Sequence, residues 1–323
     1  MRKKLIAEFC QNHLGKRDLI LQMIAAAHNA GATHAKIQGI YADELVKRQE
    51  FEFGYKSQVI DEFPMVRPFD QEYKRLLPLT LSEEDEEWFV ESCKGNGITP
   101  MTTVFTHRGV QRARNAGFTS IKIASYDCAS IPLIASVLEF CSELVISTGA
   151  TTWSEVVQTA KFLKAQAKLH DITFLHAVTE YPNSLGDTRL LRMQALRALG
   201  FEIGFSDHTS PAESGLSASA IAILLGATTI ERHFTILGSE ETKDGPVSVN
   251  PEQLHLLNRM LVQEDTNALY AAAGDLTELG NLLAPLKSLE PSLLEIRNAR
   301  YYKGRVASSI NGTVINAWQE WSV

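Results

Sequence analysis

Eight short apolar or β-branched runs, each separated from the next by a longer amphipathic stretch, limit what this chain can fold into more than any other feature of it. The runs are residues 5–8, 35–38, 99–104, 120–125, 144–148, 172–178, 202–207 and 228–234. Between them, residues 18–30, 82–96, 154–167 and 212–225, and a segment starting at Pro251, repeat their apolar positions with helical period. Ser82 with Asp85 and Thr152 with Glu155 have capping-box spacing, and Pro251 suits a first helical turn. Strict alternation of strand and helix requires parallel strands joined by right-handed crossovers, and eight such units close a barrel. A doubly wound open sheet is the rival, but it places a GxGxxG turn after its first strand, where this chain has Cys10-Gln11-Asn12-His13. The expected fold is therefore α/β, a (β/α)8 TIM barrel.

Such a barrel takes about 250 residues, and the chain has 323. The excess falls in two places. Residues 39–78, after strand two, form a long loop with Phe51, Phe53, Tyr55, Phe63, Phe69 and Tyr73; connections this long serve function or assembly, and this one is expected over the barrel mouth. The barrel itself is expected over residues 1–284, leaving a short C-terminal extension at 285–323. That extension is too short to fold alone and is expected to pack on a barrel.

Lys+Arg number 31 against Asp+Glu 38, a net charge of -7, which argues against binding nucleic acid or an anionic membrane through bulk charge. The apolar run at the N-terminus stops at Glu8, so no signal-peptide core is present, and no stretch approaches the roughly 20 apolar residues of a spanning helix. Cys10, Cys93, Cys128 and Cys141 show no CxxC spacing. The chain is expected in the reducing cytoplasm.

A barrel presents its chemistry at the C-terminal ends of its strands. Here those ends carry Glu8 then Asn12, Lys36 and Gln38, Thr103, Lys122 then Ser125 and Asp127, Ser147, His176 then Thr179 and Tyr181, Ser206 and His208, and Glu231 and His233. Side chains alternate along a strand, so Lys36 shares a face with Gln38, Ser206 with His208, and Glu231 with His233. His208 and His233, on adjacent strands, can meet at one divalent metal, Mn²⁺ or Mg²⁺, with open positions for a substrate oxygen. Glu231 is expected to ligate or orient at that site, and Asp207, on the opposite face, to support it. Lys36 and Lys122 with Thr103, Ser125 and Ser147 form a cationic, hydroxyl-rich cradle for a small dianion. Two other readings stand beside this one: a Schiff-base aldolase or lyase using Lys122 or Lys36, and a non-catalytic barrel that binds a phosphorylated metabolite.

Several of these residues also carry a family resemblance. Ile6-Ala7-Glu8 with Asn12-His13, Ala35-Lys36-Ile37-Gln38, Lys122-Ile123-Ala124-Ser125, Ser147-Thr148-Gly149, Ser206-Asp207-His208-Thr209 and Glu231-Arg232-His233-Phe234-Thr235 stand in the order of the sialic acid (N-acetylneuraminate) synthase family, which the chain resembles from about Leu5 to Pro251. The resemblance implies a metal-dependent condensation of phosphoenolpyruvate with an open-chain sugar aldehyde. The products are phosphate and a sialic-acid-like 2-keto-3-deoxy acid, a nonulosonate, formed by C–O cleavage. It implies that His208 and His233 hold the metal. Lys36, Thr103, Lys122, Ser125, Ser147 and Ser206 would hold phosphoenolpyruvate, with Glu8 near the sugar and the reacting carbons.

Where the pattern departs from the family, Asp127 replaces a Glu that handles the attacking water, and Thr179 replaces an Asn phosphate ligand. Val247 replaces the Asp of a Gly-Pro-Asp motif that contacts sugar hydroxyls. The catalytic set is thus Glu8, Asp127 and Lys122, with Gln38, Tyr181 and Asn12 added to the substrate contacts. Cys10, two residues after Glu8, is either a third metal ligand or a packing residue. The family also implies a homodimer and a C-terminal antifreeze-like domain whose Arg reaches the sugar. The extension is too short for that domain, and its Arg297, Arg300, Lys303 and Arg305 either take over that role or form a solvated basic stretch.

Overall fold

A computed structural model describes residues 3–54, 65–166, 170–274, 288–310 and 313–319 of the chain. Eight strands, β1 (Lys4–Cys10), β2 (His34–Gln38), β3 (Thr99–Val104), β4 (Ser120–Ile123), β5 (Glu143–Ser147), β6 (Asp171–Ala177), β7 (Glu202–Asp207) and β8 (Thr229–His233), pair in chain order. β8 returns in parallel to β1, so the sheet closes. The barrel expected from the alternation is the fold. Eight helices cover it: α1 (Arg17–Asn29), α2 (Glu83–Gly95), α3 (His107–Asn115), α4 (Ile131–Leu138), α5 (Trp153–Gln166), α6 (Arg192–Ala198), α7 (Ser217–Leu224) and α8 (Pro251–Leu261). The Ser82 and Asp85 box caps α2 as the spacing predicts. The helix expected over 212–225 is broken: Pro211–Ser214 makes one turn, Gly215 takes φ 58, and α7 starts after it. Among the described residues no helix is long and apolar enough to cross a membrane.

The barrel interior is layered. At its closed end Glu143 accepts from His34 and pairs with Lys4. Burial alone would raise the Glu143 pKa, but His34 and Lys4 outweigh it and hold the carboxyl well below its usual range. Above this plug lies one apolar layer, Ile6, Met101, Val145 and Leu175, all fully buried. Gly204 lets β7 approach it, because a Cβ there would stand 2.3 Å from the Thr229 carbonyl oxygen and 2.5 Å from Leu175. The next inward layer is polar and forms the floor of the mouth.

On the outward face of β7 and β8, Asp207 and Arg232 form an ion pair with no exposure at all. Asp207 also accepts from Thr209 and Ser219. Asp207 therefore supports from behind, as its strand parity predicts, and fixes the strand ends that carry His208 and His233.

Residues 292–310 and 313–319 lie across the mouth of the same chain. Helix α9 (Leu293–Tyr302) is capped by a Ser292 and Glu295 box, and an antiparallel strand pair follows, β9 (Ala307–Ile310) and β10 (Thr313–Asn316). Buried Glu295 accepts from the backbone N–H groups of Ala150 and Thr179, at 3.0 and 3.2 Å. Ser308 donates to Glu44, Ser130 donates to the Ala317 carbonyl, and Arg48 donates to the Tyr301 carbonyl. Of the loop over 39–78, Tyr55 and Phe63 lie outside the described residues; Phe51 packs edge-on against Tyr301 at 5.0 Å, so loop and tail support each other.

Removing one partner of a buried ion pair strands the other. Asp207→Ala is expected to cost about 3–5 kcal/mol in urea unfolding; a loss under about 1 kcal/mol would show that the pair does not brace these strands.

Candidate active site

The C-terminal ends of the strands open into a cavity of about 350 Å³. At its floor are four buried charges. Lys36 Nζ lies 2.6 Å from Glu8 Oε2 and 2.7 Å from Glu231 Oε2, while Lys122 pairs with the other oxygen of Glu231. Ser206 Oγ donates to the same carboxylate at 2.9 Å. Strand parity turns all five inward, because each sits an even number of residues beyond an inward position below it. Burial works against the Lys36 charge, but Glu231 and Glu8 outweigh it and hold that ammonium above its usual range. Burial, with the nearby Lys36 charge, pushes Lys122 down to about 8 despite Glu231. Glu231 was expected beside the histidines as a ligand or orienter. The structure instead places it between the lysines, where its two oxygens are both used.

Around this floor, Thr103, Ser125 and Ser147 also line the cavity, as does Gln38, whose amide donates to Glu8 at 3.3 Å. Thr103 Oγ1 and Ser147 Oγ are buried and have no hydrogen-bond partner among the described residues. Buried hydroxyls left open in this way are aimed at a ligand or water. Gly149 follows Ser147 because a Cβ there would meet Thr179 at 2.8 Å and Ser125 Oγ at 3.1 Å.

His208 and His233 stand side by side, ring centroids 5.5 Å apart and nearly perpendicular. His208 Nδ1 lies 2.8 Å from the Val178 carbonyl and donates to it, which leaves Nε2, 3.3 Å from Ser206 Oγ, with its lone pair free to bind a metal. Burial, then His233, pushes the His208 pKa down to about 3, so it is neutral and can ligate. His233 Nδ1 is buried without a hydrogen-bond partner among the described residues. Cys10, His233 and Asp244 each offer a donor atom within 4.8 Å of the others. The thiol reaches this point through a bulge: pairing of β1 with β2 slips between Glu8 and Cys10, and Cys10 takes φ 45. A bulge re-aims a side chain at the cost of backbone strain for a non-glycine residue. The soft thiol, imidazole and carboxylate together fit a divalent transition metal. His208 lies beside this trio without joining it, so the expected pair of histidines is adjacent but the tighter group includes Cys10 and Asp244. Asp244 was not anticipated; its only mark in the sequence is its place before Gly245-Pro246 in the loop after β8.

Two expected substrate contacts lie elsewhere. Asn12 is fully buried; its amide donates to the Phe234 carbonyl and to Ser248, and its carbonyl accepts from Thr242, so it ties down the loop after β8. Thr179 turns away from the cavity: its N–H donates to Glu295 and its carbonyl accepts from Asn298. Val247 is buried, and His176 points outward to donate to the Thr188 carbonyl. Tyr181 does line the cavity, with half of its surface open and its ring 4.2 Å from that of His208. Asp127 lines it as well, and Trp318 of the tail donates to it at 3.2 Å. Burial pushes the Asp127 carboxyl up to about 7, against the opposing pull of Trp318, Lys303 and Arg305.

The family model described as NeuB family matches residues 23–274. The chain belongs to the NeuB family. It is 29% identical over 262 residues to the N,N'-diacetyllegionaminic acid synthase of Campylobacter jejuni, covering 80% of this chain and 75% of that one. It is 27% identical to the pseudaminic acid synthase of the same species, covering 76% and 69%. The solved N-acetylneuraminic acid synthetase of Leptospira borgpetersenii, a citrate complex, superposes with a TM-score of 0.67 at 25% identity, over 93% of this chain and 91% of that one. These NeuB-family relatives are enzymes that make sugar acids, and the barrel mouth described above is where a TIM barrel carries such chemistry.

The Asp127 pKa also has a sign that can be checked. Unfolded, the carboxyl loses its proton near its ordinary 3.8; folded, it keeps it to about 7. Between those values the unfolded chain binds fewer protons, so this group lowers stability as pH rises through the window. Asp127→Asn keeps an acceptor for Trp318 and removes the ionisation. It is expected to be more stable than the parent at pH 8 by about 1–3 kcal/mol, with the gain gone at pH 4. A variant less stable at both pH values would contradict the assignment.

Proposed function

We propose that the chain condenses phosphoenolpyruvate with the aldehyde of an open-chain sugar, giving a nonulosonate-type 2-keto-3-deoxy acid and phosphate. The observation that carries this reading is the juxtaposition, in one cavity, of two buried lysines, two partnerless buried hydroxyls and a thiol–imidazole–carboxylate group. An anion with both a carboxylate and a phosphate fits the first two, and a carbonyl in need of polarisation fits the third.

In this reading Lys36, Lys122, Thr103, Ser125, Ser147 and Ser206 hold phosphoenolpyruvate with its methylene carbon facing the mouth, and Tyr181 walls the site above His208. Cys10, His233 and Asp244, with His208 beside them, would hold a divalent metal, which supplies Lewis-acid polarisation of the aldehyde oxygen. The methylene carbon forms a C–C bond to the aldehyde carbon, whose oxygen gains a proton to become a hydroxyl. Water adds at the adjacent carbon, and the C–O bond to phosphate breaks to leave the ketone. Of the two protons of that water, one ends on the new hydroxyl and one on phosphate. Glu8 is placed to move protons near the bond being formed, and Asp127, with a pKa of about 7, can take a proton from water at neutral pH.

Lys122 supports a Schiff base less well, because its Nζ already pairs with Glu231. Borohydride reduction in the presence of substrates is expected to leave Lys36 and Lys122 unmodified.

Two substitutions separate a ligand role from a structural one. Thr103→Val and Ser147→Ala remove hydroxyls that bind nothing in the free protein, so each is expected to leave unfolding stability unchanged or raised. Each is expected to raise KM for phosphoenolpyruvate about 3- to 10-fold, the worth of one hydrogen bond. Unchanged KM in both would remove them from the phosphoenolpyruvate site. For the metal, phosphate release is expected to stop with EDTA and in His233→Ala. Cobalt-loaded protein is expected to show a thiolate charge-transfer band that Cys10→Ser abolishes; a band that survives that substitution excludes the thiol as ligand.

A further inference from the structure

Four other arginines are largely or wholly buried, and each has a protein partner. Arg112 pairs with Glu86, Arg192 donates to the carbonyls of Thr148 and Thr151, Arg232 pairs with Asp207, and Arg48, partly buried, donates to carbonyls of α9. Arg305 breaks this pattern. It is 8% exposed and lines the cavity, yet its guanidinium makes no hydrogen bond or ion pair among the described residues. It lies over the face of Tyr302, 4.8 Å away. Burying a guanidinium without an anion is costly, and its planar fork matches carboxylate and phosphate oxygens.

Other cations gather beside it. Arg75 and Lys243 line the same cavity. Arg75 is paired with Glu72 at 2.8 Å. That carboxylate also feels Lys243 and Arg305, Lys243 in turn faces Asp244 and Arg67, and Arg305 also pulls on Asp127, so at this side of the mouth four cations meet three carboxylates. Lys303 does not belong to the group: its ammonium reaches Glu155 and lies over Trp318. The lysines of the floor, by contrast, are matched one for one by Glu8 and Glu231.

We infer that Arg305, with Arg75 and Lys243, forms an anion subsite for the distal end of the acceptor, so that the aldose this chain accepts carries a phosphate or carboxylate. The inference rests on the condensation reading. With phosphoenolpyruvate on the floor and the aldehyde above it, the far end of an open-chain sugar runs outward to the mouth, where the tail holds Arg305. The tail thereby contributes to acceptor selection within its own chain.

The test supplies the holoenzyme, with Mn²⁺ and phosphoenolpyruvate, with open-chain-accessible aldoses of five and six carbons in three matched series: neutral, terminally phosphorylated, and terminally oxidised to the uronate. Phosphate release is measured. One anionic series is expected to exceed the neutral one at least tenfold in kcat/KM, with the preference shrinking as salt rises; the better of the two identifies the group. Arg305→Gln is expected to raise KM for the anionic aldose tenfold or more and to move KM for phosphoenolpyruvate less than twofold, with Arg305→Lys intermediate. Equal or better use of the neutral series, or a change confined to phosphoenolpyruvate KM in Arg305→Gln, overturns the inference and leaves the condensation reading standing. No phosphate release with any series would contradict the condensation reading itself, and the subsite with it.

Discussion

One carboxylate, Glu231, organises the mouth of this barrel. Its oxygens meet Lys36 and Lys122 from β2 and β4, and Glu8 from β1 takes the remaining side of Lys36. Any one of these charges buried alone would cost several kcal/mol. Together they are neutral, and each fixes the position of the next. The arrangement also keeps the lysines extended toward the centre of the cavity, so that an incoming anion finds cations already desolvated and oriented. Such an anion competes with Glu231 for Lys122, and burial has already pushed that ammonium down to about 8.

The rest of the molecule serves this floor. The apolar layer of Ile6, Met101, Val145 and Leu175 separates it from the ion plug at the closed end, and the Asp207–Arg232 pair braces β7 and β8 from outside. The strained bulge at Cys10 and the loop carrying Asp244 bring a thiol and a carboxylate to His233. The tail closes the opposite side, donating to Asp127 through Trp318 and presenting Arg305. Chemistry that needs a dry, charged floor and an adjustable rim is divided here between strands and loops, and strands are the more rigid of the two.

That division also explains what could be read from the sequence. Strand parity is fixed by backbone geometry, so the inward placement of Lys36, Thr103, Lys122, Ser147, Ser206 and Glu231 follows once eight parallel strands are recognised. Parity says nothing about which inward groups touch. Glu231 shares a face with His233 but leans toward the lysines, because two ammonium groups attract it more strongly than an imidazole does. Beyond the strand ends parity lapses. Thr179 and Asn12 sit in connections where hydrogen bonds, to the Thr179 backbone and from the Asn12 side-chain amide, turn them to α9 and to the loop after β8. Arg305, Trp318 and Asp244 meet the cavity through long-range packing, for which no periodic signal exists. Gly215 breaks the helix expected over 212–225 for a local reason, a glycine at positive φ in an otherwise helical run.

The claim on which this account turns is that phosphoenolpyruvate is consumed here by cleavage of its C–O bond. Phosphoenolpyruvate labelled with ¹⁸O in the bridging oxygen tests it directly. The account predicts that all of the label leaves with the phosphate when an accepted aldose and a divalent metal are present. Unlabelled phosphate, with the ¹⁸O retained in the organic product, would contradict it.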